Sequence, residues 1–242
     1  LLDGVPLYNV DHTLGILSIF TPESVKKVDL YKSSFPARYG GRLSSVIDVR
    51  TNDGDMRNYH GSLTIGLLTS RMHFEGPLWK DRTSFIISAR RSYADLIIKP
   101  FMDKDTKGGY YLYDINTKLN HRFSDRDRLF FSFYHGKDHA SFTNTSSYYF
   151  EEEKETDTRE RQVMAWGSTL GALRWNHIVS NRLFHNITLS YNRFRFNIKN
   201  NFTSANKHLD SQYYSGIEDW GLTSDFDFHP SPSHFIKFGG NY

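Results

Sequence analysis

The chain lacks cysteine, has little net charge and contains no long apolar run. Without cysteine, disulfide frameworks and thiolate metal sites are excluded. The 30 Lys and Arg residues against 27 Asp and Glu residues give a formal net charge of +3, which is too balanced for a surface that binds nucleic acid. No apolar stretch reaches the roughly 18 residues of a transmembrane helix. A membrane protein that crosses with strands is still allowed.

Aromatic residues are abundant in a chain that is not very hydrophobic. The 242 residues include 19 Phe, 15 Tyr and 4 Trp, which make up 16% of the chain, while all hydrophobic residues amount to 38%. Strands with one apolar and one polar face produce such a composition. A transmembrane β-barrel with aromatic girdles is one explanation. A secreted β-sandwich that binds a carbohydrate or another ligand is the alternative.

From residue 59 onward, apolar and polar residues alternate with period two, which predicts strands, and no segment there has a helical pattern. In a barrel, the apolar set faces lipid and the polar set faces the lumen. The apolar set is Tyr111, Tyr113, Ile115, Ile187, Leu189, Tyr191, Trp220, Leu222, Phe226 and Phe228. The polar set is Asp114, Asn116, Asn186, Ser190, Asp225 and Asp227.

Short and long connections alternate along the chain, as at the two rims of an outer-membrane barrel. A strand over 59–78 would extend roughly 66 Å, about twice what a membrane crossing needs. We therefore predict a hairpin near Leu68, Thr69 and Ser70, with the break between Leu67 and Met72, and about nine strands in all. Short turns are predicted at 79–82, 124–128, 180–182 and 230–233, and long connections at roughly 94–109, 137–165 and 197–217.

Residues 1–55 have a different character from the rest. "LLDGVPLYN" predicts a strand with an Asp-Gly turn, "TPESVKKVDLYKS" a short helix that runs into a strand, and "LSSVIDVRT" another strand. The expected division is a small α+β unit over 1–55 and a barrel over 56–242, joined at the rim with the short turns.

This combination resembles the end of the plug domain and the start of the barrel of TonB-dependent outer-membrane transporters. "VDLYKSSFPARYG" and "GRLSSVIDVRT" match the pattern with which the plug of that family closes. "FEGPL" and "SARRSY" are similar to the first barrel strands of the Bacteroidetes branch. The matching positions are Val28, Asp29, Leu30, Ala37, Tyr39, Gly40 and the predicted strand over 46–49. One departure is that Lys32, Ser33 and Ser34 stand where the family has Arg-Gly-Pro.

The resemblance implies a mainly β fold: about nine antiparallel strands of a transmembrane barrel of roughly 22, preceded by the C-terminal part of a plug domain. The chain would be an internal fragment of a receptor in the outer membrane of a Gram-negative bacterium. That receptor would bind a scarce nutrient, such as an iron chelate, corrinoid, glycan or peptide, and import it into the periplasm. The implied partners are a TonB-type energy-transducing protein, outer-membrane lipid and the nutrient, with or without a surface lipoprotein. No cofactor is implied.

Two sets of candidate site residues follow. Arg38, Tyr39, Gly40, Gly41 and Arg42 are predicted to form a tight plug–barrel contact, in which the two arginines meet wall carboxylates such as Asp114, Asp225 or Asp227 because an unpaired buried charge is costly. Tyr148, Tyr149 and Phe150 lie in a charged outer connection and could stack on a ligand, or else belong to the aromatic girdle.

Catalytic and metal sites are not expected. The 11 histidines lack metal-ligand spacing. Asp11-His12 and Asp138-His139 are adjacent pairs, which point apart within a strand, and no nucleophile motif is present. Enzymatic activity is therefore not predicted.

Overall fold

The computed structural model of the chain describes residues 1–32, 36–40, 44–103, 105–148, 156–204 and 207–242. We call the described part of residues 1–55 the N-terminal segment. It contains two small antiparallel sheets and three short 3₁₀ turns. One sheet pairs β1 (Asp11–His12) with β2 (Leu17–Ser18), and the other pairs β3 (Val25–Tyr31) with β4 (Val46–Thr51). The 3₁₀ turns are Thr13–Gly15, Pro22–Ser24 and Ala37–Tyr39.

Two of the local predictions for this segment are confirmed, namely the Asp-Gly turn and the strand within "LSSVIDVRT", whereas the strand predicted over "LLDGVPLYN" is wrong and the predicted short helix is a single 3₁₀ turn. Asp3 and Gly4 form a turn with φ of 49° and 84°, a left-handed conformation that suits glycine, although the flanking residues make bridges rather than a strand. Pro22 opens a 3₁₀ turn directly after Thr21, and β3 follows without a loop. Proline favours the first helical position because its φ is already near the helical value.

A nine-stranded antiparallel sheet follows, in which each strand pairs with its neighbours in sequence. Among the described residues, the first and last strands form two unpaired edges, as predicted, and the single sheet rules out the β-sandwich alternative. The strands are β5 (His60–Ile65), β6 (Thr69–Trp79), β7 (Thr83–Ser92), β8 (Thr106–Arg122), β9 (Asp127–Tyr148), β10 (Thr156–Ser180), β11 (Leu183–Ser204), β12 (Lys207–Ser231) and β13 (His234–Asn241).

The sheet curves around the N-terminal segment. Six consecutive strands, β7 to β12, hydrogen bond to this segment from one face, although six strands side by side span about 24 Å. We call the contacted face the concave face and the opposite one the outer face. The strand register places the predicted polar set on the concave face and the predicted apolar set on the outer face. The assignment of faces is confirmed.

The main apolar core lies between the N-terminal segment and the concave face. Leu2, Val5 and Ile19 pack there against three wall residues, Tyr134, Leu170 and Ala172. On the outer face, by contrast, large apolar side chains stay exposed, and Trp220 is 67% exposed. An apolar surface turned outward and a largely polar concave face fit a barrel wall in lipid.

The short connections agree with prediction, with one shift. Among the nine strands, residues 80–82, 123–126, 181–182 and 232–233 connect successive pairs. The hairpin between β5 and β6 spans 66–68, so Thr69 and Ser70 already belong to β6. A helix that the period-two pattern did not predict, α1 (Ala94–Ile98), precedes a 3₁₀ turn at Lys99–Phe101 between β7 and β8. No helix among the described residues is long and apolar enough to cross a membrane.

Two predicted long connections are wrong. Most of 137–165 lies in β9 and β10, and most of 197–217 lies in β11 and β12. These strands contain 22 to 25 residues, whereas a crossing needs about 9 to 11. Both faces of a strand that extends beyond the bilayer meet water, so the alternation of apolar and polar residues disappears there. For this reason the distal halves resembled loops.

Candidate functional site

The candidate functional site is the interface between the N-terminal segment and the concave face. Its centre is His12, the last residue of β1, which lies between two carboxylates of the wall. His12 Nδ1 is 2.6 Å from Asp138 Oδ2 on β9, and Nε2 is 3.1 Å from Asp114 Oδ2 on β8. All three side chains are buried. Because both ring nitrogens face acceptors, the protonated imidazolium satisfies this geometry best.

The environment of His12 favours its charged form. Burial lowers the pKa of His12, but the hydrogen bonds and negative charges of Asp114 and Asp138 together outweigh burial, and the pKa is raised from 6.5. A second cation balances the pair of carboxylates: Arg90 on β7 places Nη2 2.7 Å from Asp114 Oδ2 and donates to the Ser18 carbonyl. Two cations and two anions therefore share one buried cluster.

Asp138 has two further donors that fix its orientation. The backbone N–H of Thr13 donates to Asp138 Oδ1 at 3.1 Å, and the Tyr110 hydroxyl donates to the same oxygen. Both carboxylate oxygens of Asp138 thus have hydrogen-bond partners from the N-terminal segment. We call His12, Arg90, Asp114 and Asp138 the histidine cluster.

A second buried cluster surrounds Lys118 on β8. Its Nζ lies 3.4 Å from Asp3 Oδ1 and 2.9 Å from Asp53 Oδ1 and donates to the Thr51 carbonyl. Asp3 Oδ2 accepts a 2.9 Å hydrogen bond from Ser132 on β9. These contacts join the first turn of the chain, the end of β4 and the wall. We call Lys118, Asp3 and Asp53 the lysine cluster.

Lys26 is the second cation of Asp53, at 2.7 Å, but its side chain is 57% exposed whereas that of Lys118 is 4% exposed. Burial raises the pKa of Asp53, yet the two lysines more than compensate, and the pKa is lowered overall. One carboxylate therefore links an exposed and a buried ammonium group.

The contacts at the far side of the wall are more exposed. Arg38 Nη2 lies 3.2 Å from Asp225 Oδ2 on β12, with side-chain exposures of 32% and 24%. The Tyr8 hydroxyl donates to Asp219 on the same strand. Nearer the centre, Asn192 Nδ2 on β11 donates to the Pro6 carbonyl at 2.5 Å.

The profile of the family described as "Outer membrane beta barrel domain" matches residues 104–240, more than half of the chain. The chain belongs to this family. It is thus part of an outer-membrane β-barrel, and the polar interface lies on the luminal side of the barrel wall. No match is found among curated proteins.

Solved structures give distant matches to this outer-membrane barrel. A ferric enterobactin receptor of Pseudomonas aeruginosa is 12% identical with a TM-score of 0.42, over 99% of this chain and 53% of that one. A siderophore receptor of Acinetobacter baumannii is 13% identical with a TM-score of 0.36, over 90% and 47%. The chain spans about half the length of these proteins.

The structure places the predicted site residues of this barrel protein as follows. Arg38 contacts the wall through Asp225, one of its three candidate partners, while Tyr39 donates to Asp48 within the N-terminal segment at 3.2 Å. Gly40 ends the 3₁₀ turn. Tyr148 is the last residue of β9. Gly41, Arg42, Tyr149 and Phe150 lie outside the described residues.

Sequence reasoning missed the histidine and lysine clusters. In the sequence, Asp11-His12 and Asp138-His139 are adjacent pairs, whereas the contact in the structure joins His12 to Asp138, 126 positions apart. The predicted partner Asp114 contacts Arg90 and His12, and Asp227 contacts Lys237 at 3.6 Å. Among the described residues, no group of three or more His, Asp or Glu could hold a metal ion.

Proposed function

We propose that this chain is part of a TonB-dependent receptor, which binds a scarce nutrient at the cell surface and imports it into the periplasm. Within that protein, residues 1–55 would be the C-terminal part of a plug domain and residues 56–242 the N-terminal part of the barrel. The nutrient would be an iron chelate, corrinoid, glycan or peptide. A TonB-type protein of the inner membrane would supply the energy.

The observation that supports this proposal most directly is the polar interface between the N-terminal segment and the wall. If the segment stayed on the wall permanently, apolar packing would stabilise the interface at least as well, because replacing buried ion pairs by apolar residues is often neutral or stabilising. The histidine and lysine clusters instead fix one position of the segment and can be hydrated when the two surfaces separate. Such an interface suits a segment that must leave the wall under load.

Arg38 and Arg42 would help the histidine and lysine clusters to hold the N-terminal segment on the wall. Tyr39, Gly40 and Gly41 would form the turn that carries the two arginines. The Arg38 contact with Asp225 supports this role. Tyr148, Tyr149 and Phe150 remain candidates for ligand stacking, since β9 extends well beyond the bilayer before this triplet. A surface lipoprotein partner would bind at the same end.

The proposal is tested by uptake in cells that lack the endogenous protein and express the full-length one. Growth is measured on a panel of iron chelates, corrinoids, glycans and peptides, with and without a functional TonB protein and with a protonophore. We expect growth on one class of nutrient, lost in the absence of TonB and on addition of the protonophore. Uptake that persists in both conditions would show a passive pore and contradict the proposal.

A further inference from the structure

The outer face of the sheet changes from apolar to basic at one height. On β11, the outward residue Tyr191 is followed by Arg193 and Arg195, and on β9, Phe133 is followed by His135 and Lys137. The register places Arg195, Gly167 and Lys137 in one row across β11, β10 and β9. Below this row, the outward residues are largely apolar, including Phe131, Leu173, Trp175, Ile187 and Leu189.

This height corresponds to a membrane boundary. Arg193 and Lys137 each lie ten residues beyond the first residue of their strands, Leu183 and Asp127. Ten residues extend about 33 Å, which a strand tilt of about 40° to 45° converts to a height of about 25 Å, the height of the apolar band in outer-membrane barrels. The basic row therefore lies at the headgroups on the side of the long hairpins, which is the extracellular side in such barrels.

The three cations surround a recess in the outer face. Lys137, Arg193 and Arg195 line a cavity of about 270 Å³ together with Gly167 and Tyr214. The cavity has a backbone floor, because a Cβ added at Gly167 would overlap the Gly136 carbonyl oxygen. The Arg195 guanidinium lies 5.9 Å from the centre of the Tyr214 ring, which holds it at the edge of the recess.

The recess lacks a protein anion of its own. Within the described residues, none of the three cations forms an ion pair. Glu218 stands opposite Arg193 in the register but does not line the recess, and its Oε1 accepts a 3.1 Å hydrogen bond from the Tyr191 hydroxyl. Three neighbouring cations at the edge of hydrocarbon are unfavourable unless an anion joins them, and guanidinium groups bind phosphate through two parallel hydrogen bonds.

We propose that this recess binds a phosphate group on the headgroup of an anionic lipid in the outer leaflet, with the acyl chains against the apolar band below. The phosphate would lie between Arg193, Arg195 and Lys137, and Tyr214 would cover its outer side. A lipid source is favoured over free phosphate because the recess faces away from the lumen and adjoins the apolar band. The inference depends on the membrane barrel and is independent of the nutrient.

The test measures lipid retained by the full-length protein after purification in mild detergent from nanodiscs of phosphatidylcholine with added diphosphoryl lipid A. The test variant combines Lys137→Gln, Arg193→Gln and Arg195→Gln. The matched control is Arg182→Gln, an exposed arginine in the turn between β10 and β11 at the opposite boundary. Heat-modifiable migration confirms folding, and Arg195→Gln alone serves if the triple variant does not fold.

We expect the triple variant to bind lipid A about tenfold more weakly or worse, Arg195→Gln about fivefold more weakly, and Arg182→Gln as well as the wild type. Dephosphorylated lipid A should not be retained by the wild type. Equal retention by the wild type and the folded triple variant, or retention of the dephosphorylated lipid, would overturn the proposal. Displacement of lipid A by millimolar inorganic phosphate would assign the recess to a soluble anion instead.

Discussion

His12 and Asp138 are 126 residues apart in sequence, yet their side chains are 2.6 Å apart in a buried contact between the N-terminal segment and β9. Asp114 on β8 binds the other ring nitrogen. A neutral imidazole has only one N–H and could donate to only one of these carboxylates. Attachment of the segment to the wall is therefore linked to the charge of a single histidine.

The first prediction concerns pH. Because the pKa of His12 is raised in the folded state, this residue stabilises the interface fully below its unfolded value of 6.5, and the stabilisation is lost as pH rises through the higher folded value. The free energy of local opening of β1, measured by hydrogen exchange corrected for intrinsic rates, should fall as pH rises above 6.5 through the folded-state pKa. In His12→Gln this dependence should be largely absent. An equal pH dependence in both proteins would contradict the link.

The second prediction compares two lysines that bind the same carboxylate, Asp53. Lys118→Met leaves Asp3 buried without its cation and should lower the free energy of opening of the N-terminal segment by about 3–5 kcal/mol. Lys26→Met removes an exposed partner and should cost about 0–1 kcal/mol. Hydrogen exchange at the β4 amides provides the measurement. Similar costs for the two variants would show that burial does not determine the strength of this cluster.

The third prediction concerns Arg38. Its contact with Asp225 is partly exposed, so Arg38→Ala should reduce the opening free energy by only about 0–1 kcal/mol. Admission of bulky antibiotics should therefore rise little for Arg38→Ala and clearly for Lys118→Met. If Arg38→Ala lowered the opening free energy as much as Lys118→Met, the contact with Asp225 on β12 would hold the segment as strongly as the lysine cluster, contrary to this account.

The fourth prediction tests the lipid-facing side. Leu222 pairs with Leu189 in the apolar band of the outer face, and Thr223 points to the opposite face. Leu222→Arg should destabilise the folded barrel by about 2 kcal/mol in lipid vesicles, whereas Thr223→Arg should have a much smaller effect. Urea unfolding in vesicles measures both values. A greater loss in Thr223→Arg would reverse the assignment of the faces.

The sequence predicts what depends on local pattern. The alternation around Asp114 and Asp225 places them on the concave face, and the Asp-Gly turn and the short connections follow from their residue types. The partners of these carboxylates could not be predicted in the same way. The sequence predicts Asp114 as a partner of Arg38 or Arg42, but it pairs with Arg90 and His12. The partner depends on how the whole N-terminal segment packs against the wall.

The distal halves of the long strands β9 to β12 could not be predicted from the local pattern either. The period-two pattern depends on two different environments, and it disappears where β9 to β12 extend past the bilayer. Hydrogen bonding between neighbouring strands continues there, as the register from Thr158 and Ser204 to Ser180 and Leu183 shows. Pairing of backbone groups does not need an apolar face, so these strands could not be recognised from hydrophobicity.

The central claim is that the N-terminal segment occupies the luminal side of the barrel wall. Residues 1–242 contain no cysteine, so an introduced pair has no competing thiol within this part of the protein, and any cysteine elsewhere in the full-length protein is first replaced by serine. In the full-length protein in outer membranes, Pro6→Cys with Asn192→Cys should cross-link efficiently with a short thiol reagent, because Asn192 contacts Pro6. Leu189 lies on β11 like Asn192 but points outward, so Pro6→Cys with Leu189→Cys should not cross-link. Efficient cross-linking to position 189, or none to position 192, would contradict the claim.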